Sequence, residues 1–356
     1  MKLKRLFAVM VCVLMVAALL PLGVAAQEEE EEPVGFWERS EGARWTEVRR
    51  EQVEDPIIRI YGNNRYETSM KLAEICREGF GGKLQNVIIA CGTDFPDALG
   101  AAGPAYELAA PIILVDKNRV KQVAAYVGEN LETGGEVFIM GGTGAVPASM
   151  ETELVAAGVV QDDIYRLEGA TRYETNMAVL DGYGKYLDYV MVCSGKDYAD
   201  ALSASAFGAP ILLVGDKLTD AQKAFLAEKE TCYFDIIGGE AAVSASVEAD
   251  LRAIAAKYSD GGVERFAGRN RYETSKAVAE AGWEKANYVV LSYGLDFPDG
   301  LSGAILCFIT DSPMLLATTS NISVAAECAH NLNAKNVIVL GGPTLISDDA
   351  ALKLVQ

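Results

Sequence analysis

Carboxylates and guanidiniums recur in this 356-residue sequence at fixed spacings, each in three places. Asp94 and Asp97, Asp197 and Asp200, and Asp296 and Asp299 sit in Gly-Thr-Asp-Phe-Pro-Asp-Ala-Leu (92–99), Gly-Lys-Asp-Tyr-Ala-Asp-Ala-Leu (195–202) and Gly-Leu-Asp-Phe-Pro-Asp-Gly-Leu (294–301). Paired carboxyls can act as general acid and base when burial raises the pKa of one of them. They can also contribute to a Ca²⁺ site, although two per loop fall short of the roughly six to eight oxygens such a site takes. Arg65, Arg172 and Arg271 lie in Asn-Arg-Tyr-Glu-Thr (64–68), Thr-Arg-Tyr-Glu-Thr (171–175) and Asn-Arg-Tyr-Glu-Thr (270–274). A positive charge in the first turn of a helix opposes the helix dipole, so each arginine calls for an anionic neighbour. One of the recurring aspartates is the simpler partner; an anion on a ligand is the other.

Much of the same motif has a local structural explanation. Asn64, Thr171 and Asn270 stand three residues ahead of Glu67, Glu174 and Glu273, the spacing of a helix capping box. Asp97, Asp200 and Asp299 suit helix N-caps, and the first aspartate of each pair suits an Asx-turn. Signatures of catalysis are missing. His330 is the single histidine and has no counterpart in the other copies, which argues against a triad or a histidine metal site. The glycine pairs 141–142, 238–239 and 341–342 lack the dinucleotide pattern and read as strand ends followed by tight turns. Cys76, Cys91, Cys193, Cys232, Cys307 and Cys328 form no close pair, so metal-ligand spacing is absent; export permits disulfides among them, and buried free thiols are the reading that their apolar settings favour. The residues therefore call for no cofactor and no metal.

The elements that position these groups repeat with them. After each Arg-Tyr-Glu-Thr and each aspartate pair comes an apolar run, Pro111-Ile112-Ile113-Leu114, Pro210-Ile211-Leu212-Leu213 or Pro313-Met314-Leu315-Leu316, and each copy closes on its glycine pair. Short β-rich runs such as 87–90, 112–115 and 137–140 alternate with helical stretches such as 68–76, 98–108 and 120–131. This predicts an α/β fold of three tandem Rossmann-like units, each with an open parallel sheet, in a pseudo-threefold arrangement. The proline-led runs read as strands in the middle of a sheet, because apolar residues in succession suit a strand covered on both faces. Copies of about a hundred residues are large enough to own a core.

The organisation expected is a signal peptide over 1–26, an acidic disordered spacer over 27–56, and repeats over 57–160, 161–260 and 261–356. Lys2, Lys4 and Arg5 precede an apolar run from Leu6 to Leu20 and a small-residue exit at Val24-Ala25-Ala26, the pattern of a secretory signal. Glu28 to Glu32 open a like-charge stretch of the kind that stays solvated. A net charge of −19 speaks against nucleic acid or an anionic surface held by bulk attraction, and no second apolar stretch predicts a membrane segment after cleavage. An anionic partner must be met locally.

With these motifs recurring in order, residues 57–356 resemble the cell wall binding repeat 2 family of Gram-positive surface proteins. The resemblance implies three Rossmann-like domains in a trimeric arrangement that hold a protein non-covalently to an anionic secondary wall polymer, at the cell wall or surface of a Gram-positive bacterium. It also implies a part in anchoring for the apolar triplets, here Ile112, Ile113 and Leu114, Ile211, Leu212 and Leu213, and Met314, Leu315 and Leu316. Together with Arg65, Arg172 and Arg271 these are the expected ligand-binding residues, with no catalytic residue among them. The expected protein is a non-enzyme, a wall anchor or surface-layer component with an anionic wall polymer and other surface-coat proteins as partners. The alternatives are a hydrolase of wall glycan or polymer using the aspartate pairs, and a Ca²⁺-dependent self-assembling surface protein.

Overall fold

The computed structural model describes residues 56–184 and 187–356. The signal peptide and all but the last residue of the acidic spacer lie outside the described residues.

Strand and helix alternate as the sequence predicts. The first third runs β1 (Ile57–Ile60), α1 (Arg65–Gly79), β2 (Leu84–Cys91), α2 (Pro96–Leu99), α3 (Ala102–Glu107), β3 (Ile112–Val115), α4 (Val120–Asn130), β4 (Leu131–Met140) and α5 (Ser149–Ala156). The second runs β5 (Ile164–Leu167), α6 (Arg172–Asp181), β6 (Tyr189–Ser194), α7 (Ala199–Ser205), β7 (Ile211–Val214), α8 (Asp220–Glu228), β8 (Tyr233–Ile237) and α9 (Ala245–Ala255). The third runs β9 (Gly262–Phe266), α10 (Arg271–Gly282), β10 (Tyr288–Tyr293), α11 (Pro298–Ile309), β11 (Met314–Ala317), α12 (Ser323–Asn331), β12 (Asn336–Leu340) and α13 (Asp348–Leu352).

These strands form three four-stranded sheets in the orders β3-β2-β4-β5, β7-β6-β8-β9 and β11-β10-β12-β1, and every pairing is parallel. The strand that opens each sequence repeat thus completes the sheet of the preceding repeat. For the first repeat the preceding one is the last: β1 pairs with β12 from Ile57 opposite Val337 to Ile60 opposite Leu340. The sequence repeat and the sheet are out of phase by one strand, and the N-terminal strand closes the three units into a ring.

An arginine clasps each exchanged strand. Arg59 on β1 donates to the carbonyls of Gly341 and Ile346 at 2.8 Å each and pairs with Asp348 at 2.6 Å. Arg166 on β5 holds Gly141, Val146 and Glu151, and Arg265 on β9 holds Gly238, Val243 and Glu248. In each case the clasp ties the strand to the glycine turn and to the helix after it.

The apolar triplets depart from the expected placement. β3, β7 and β11 are edge strands, yet their triplet residues are at most 1% exposed. Helices supply the missing cover. α1, α6 and α10 pack on β3, β7 and β11 within each repeat, and α11 and α7 reach across from the neighbouring unit onto β3 and β11. On each edge strand one outward N–H is met by a side chain: Leu114 donates to Ser69 Oγ at 3.0 Å, Leu213 to Asn176 Oδ1 at 2.8 Å and Leu316 to Ser275 Oγ at 3.2 Å. Burial on both faces is what the continuous apolar pattern encoded. It arises from helices around an edge, because a buried edge whose N–H groups are paired satisfies the same requirement as a central strand.

One large apolar core joins the three units, with Ile112, Leu114, Ile211, Leu213 and Met314 to Leu316 in it, while Ile113 and Leu212 face two smaller cores on the outer sides of their sheets. Among the described residues the six cysteines are free, five of them buried and Cys232 half-buried, and no helix is long and apolar enough to cross a membrane.

Candidate functional site

Each Arg-Tyr-Glu-Thr element begins a helix because its cap is satisfied locally. Asn64 accepts from the N–H groups of Tyr66 and Glu67 at 3.1 Å each, and Asn270 accepts from Tyr272 and Glu273. Thr171 makes a full capping box with Glu174. In the other two copies the glutamate reaches one residue further, Glu67 accepting from Asn63 N–H and Glu273 from Arg269 N–H. The tyrosine of the element lies against the glycine that opens the aspartate motif. A Cβ built on Gly92, Gly195 or Gly294 would sit 2.5, 2.6 or 2.6 Å from the ring of Tyr66, Tyr173 or Tyr272. That close approach fixes how far the helix start stands from the aspartate loop.

The aspartates do not cap their helices through the second member of each pair, as the spacing predicts. Phe95, Tyr198 and Phe297 are the N-cap residues, and Asp97, Asp200 and Asp299 fall in the first helical turn. The first aspartates do bond locally, Asp94, Asp197 and Asp296 accepting from the following N–H at 2.9, 2.7 and 2.9 Å. The second aspartates lie beneath the glycine turns. A Cβ on Gly141, Gly238 or Gly341 would come within 2.5, 2.3 or 2.6 Å of Asp97, Asp200 or Asp299 Oδ2, and these glycines hold φ of +105°, +112° and +95°. Two constraints, the left-handed backbone and the carboxylate beneath, thus require glycine there.

Burial pushes Asp97, Asp200 and Asp299 above the usual carboxylate range, Asp200 to about 6 with Asp197 adding to the rise. At Asp97 the Thr175 hydroxyl and the Arg172 charge pull the other way, and at Asp299 Thr68 and Arg65 do so while Asp296 adds to the rise.

The three N-cap aromatics meet one another. Ring centroids are 5.6 Å apart for Phe95 and Tyr198, 5.8 Å for Phe95 and Phe297, and 5.9 Å for Tyr198 and Phe297, a triangle at the pseudo-threefold axis. An arginine from the following unit covers each ring: Arg172 over Phe95 at 5.7 Å, Arg271 over Tyr198 at 5.3 Å and Arg65 over Phe297 at 5.5 Å. Each also donates to the motif glycine of its own unit, Arg65 to Gly92, Arg172 to Gly195 and Arg271 to Gly294, at 2.9, 2.7 and 2.7 Å. The structure therefore gathers the three repeated arginines around one centre, within a chain of strongly acidic charge.

Their anionic neighbours differ. Arg65 pairs with Asp296 and Arg271 with Asp197, each at 3.0 Å across a unit boundary. The matching pair of Arg172 with Asp94 is not formed: no carboxylate among the described residues stands within ion-pair distance of Arg172, which is held by Gly195 O and the Phe95 ring. A cleft of about 300 Å³ lies there, lined by Cys91, Thr93, Asp94, Pro96, Asp97, Gly144, Ala145 and Arg172.

The buried triplets, by contrast, expose nothing that a polymer at the surface could touch. The sequence reading also passed over Arg59, Arg166 and Arg265, the three aromatics, and Ser69, Asn176 and Ser275. The signal for the first set is an arginine three residues ahead of the glycine of every Arg-Tyr-Glu-Thr element, at 59 and 62, 166 and 169, and 265 and 268. Among the described residues no group of three or more His, Cys, Asp or Glu could hold a metal ion.

All three copies match the sequence model of cell wall binding domain 2, over residues 59–151, 166–248 and 265–351. The N-acetylmuramoyl-L-alanine amidase LytC of Bacillus subtilis (strain 168) is 24% identical over 307 residues, which is 85% of this chain and 58% of the amidase. The amidase enhancer of the same organism is 30% identical over 280 residues, 76% of this chain and 36% of the enhancer. Among solved structures, Cwp8 from Clostridium difficile superposes with a TM-score of 0.74 at 26% identity, over 85% of this chain and 51% of Cwp8. Cwp6 from the same organism shares the fold, with a TM-score of 0.73 at 20% identity over 85% of this chain and 48% of Cwp6. The chain thus spans little more than half of the amidase and of Cwp8, and less of the other two.

Proposed function

The chain belongs to the cell wall binding domain 2 family, and from that premise we propose that it is a non-catalytic protein of the cell surface that holds an anionic secondary wall polymer through the ring of inter-unit loops. The observation that carries this reading is the family match through every unit of the ring. The gathering of Arg65, Arg172 and Arg271 around one aromatic centre supports it further. In a chain of net charge −19 it places guanidinium donors where an anionic partner can be met locally. In this reading the triplets act through the sheet: they fix the edge strands against the arginine-bearing helices and do not meet the polymer themselves. Export by a signal peptide over 1–26, a spacer over 27–56 and partnership with other surface-coat proteins are part of the same proposal.

The hydrolase alternative gains little support from the aspartates. Asp197 and Asp296 are engaged by arginines, and the second aspartates support glycine turns in all three copies alike. The amidase activity named for one relative belongs to that protein, of which this chain spans 58%. Isolated walls incubated with the purified chain provide the test. The chain is expected to sediment with them, to be released as salt is raised because the contacts are ionic, and to liberate no glycan or polymer fragment. An Asp97→Asn, Asp200→Asn, Asp299→Asn variant that folds and still sediments fits binding. Fragment release by the parent, abolished in that variant, would overturn it in favour of catalysis.

A further inference from the structure

The three unit boundaries are built from the same motif, but their side chains differ in a concerted way. At the third boundary the loop carries Tyr293 and Leu295, and the glycine turn carries Thr344 and Leu345. At the second the same positions hold Ser194, Lys196, Ala241 and Ala242, with Lys196 bonded to Asp216 at 2.5 Å. At the first they hold Cys91, Thr93, Gly144 and Ala145, the smallest set of the three, and all four line the cleft of about 300 Å³. The same boundary is the one whose arginine makes no ion pair. In the other two copies the Nη2 nitrogen holds the aspartate of the preceding unit. Arg172 keeps its backbone and ring contacts, and its second nitrogen is not committed to a carboxylate. Loss of bulk and loss of the internal counter-ion fall at one place and open one site.

We propose that the cleft between the first and second units is the single polymer-binding subsite of this chain, and that it takes a saccharide unit carrying one anionic group. This rests on the wall-binding reading above. Arg172 meets the anionic group, a phosphate or a uronic carboxylate, in the place that Asp296 and Asp197 occupy against Arg65 and Arg271. Asp94 and Asp97 line the same cleft, so a densely charged anion is repelled while sugar hydroxyls find acceptors. That combination selects a hydroxylated sugar with one charge over free phosphate. The second and third boundaries, closed by their own ion pairs, hold the ring together.

Two variants of the full chain test this through sedimentation with isolated walls. Arg172→Gln is expected to weaken binding roughly tenfold or more, the size of a lost charge-assisted contact. Gly144→Thr with Ala145→Leu installs the side chains of the third boundary. A Cβ at Gly144 meets nothing within 4 Å, and the third unit carries leucine at the position of Ala145, so the cleft is expected to fill and binding to fall by a similar factor, with an unchanged thermal midpoint as the check that the fold is kept. Ala241→Thr with Ala242→Leu makes the same change at the second boundary and is expected to bind within about twofold of the parent, because no ligand contact is lost there. Millimolar glucose 6-(methyl phosphate), a phosphodiester of one charge, and glucuronic acid, added as competitors, distinguish a phosphate from a carboxylate, with glucose as the neutral control. Parent-like binding by both first-boundary variants, or equal weakening by the second-boundary variant, would overturn the single subsite while leaving wall binding intact. Failure of the parent to sediment would instead remove the reading on which it rests.

Discussion

At the scale of single residues, repetition separates positions that hold the fold from positions that differ between copies. Gly195 is of the first kind: any Cβ there meets the Tyr173 ring at 2.6 Å. Gly195→Ala is expected to cost about 1–3 kcal/mol, the range for forcing extra volume into a packed contact, read as a lower thermal midpoint. Asp235 is of the second kind, standing on β8 where the corresponding strands carry Phe138 and Ile338. It is fully buried; Tyr189 donates to its Oδ2 at 2.9 Å, and its Oδ1 has no partner. Burial pushes its pKa up to about 7, with Glu264 adding to the rise and the Tyr189 bond opposing it. A carboxyl whose folded pKa lies above its unfolded value binds the proton more tightly when folded. Its contribution is therefore most favourable below about pH 4 and is lost as pH rises towards 7. Asp235→Asn, which keeps the tyrosine bond and cannot ionise, is expected to match the parent in thermal midpoint at pH 4 and to exceed it at pH 8. Parallel curves for the two proteins across that range would contradict the assignment.

At the scale of elements, the exchanged strand closes the ring. Removing residues up to Ile60 takes away β1, leaves the edge of β12 unpaired over Val337–Leu340, and deprives Asp348 of Arg59. The shortened chain is expected to melt at lower temperature and to form exchanged oligomers through the bare edge, visible by light scattering on a sizing column. A monomer with an unchanged midpoint would count against β1 as the closing element. The apolar triplets make a different prediction. Leu212→Ala is expected to cost about 2–5 kcal/mol as a core truncation, and to reduce wall binding only as far as it unfolds the protein, whereas Ile112→Val should bind as the parent does. Elements were legible in the sequence where their chemistry is local. The cap residues Asn64, Thr171 and Asn270, the alternation of strand and helix, and the glycine turns all follow from neighbours within a few residues. The middle-of-sheet placement of the triplets was wrong because burial does not report what provides the cover: helices and the Ser69, Asn176 and Ser275 side chains do the work of a second strand. Strand exchange was not legible either, since pairing β1 with β12 joins residues about 280 apart and no local signal specifies which of three like sheets a strand enters.

At the scale of the whole molecule, the sequence raised a conflict between an acidic chain and an anionic partner, and the fold eases it. Closing three units into a ring brings arginines from positions 65, 172 and 271 over one aromatic triangle, two of them paired with Asp296 and Asp197, so that the Arg172 guanidinium is left to meet an anion within a chain of net charge −19. Which of the three arginines is left without an internal counter-ion depends on contacts across unit boundaries, and spacing along the chain could not disclose it. The most direct test of the central claim is sedimentation of the purified chain with isolated Gram-positive walls before and after the secondary polymer is stripped from them. The account predicts capture by intact walls, release by salt, and loss of capture on stripping. Equal retention by the stripped walls would contradict it.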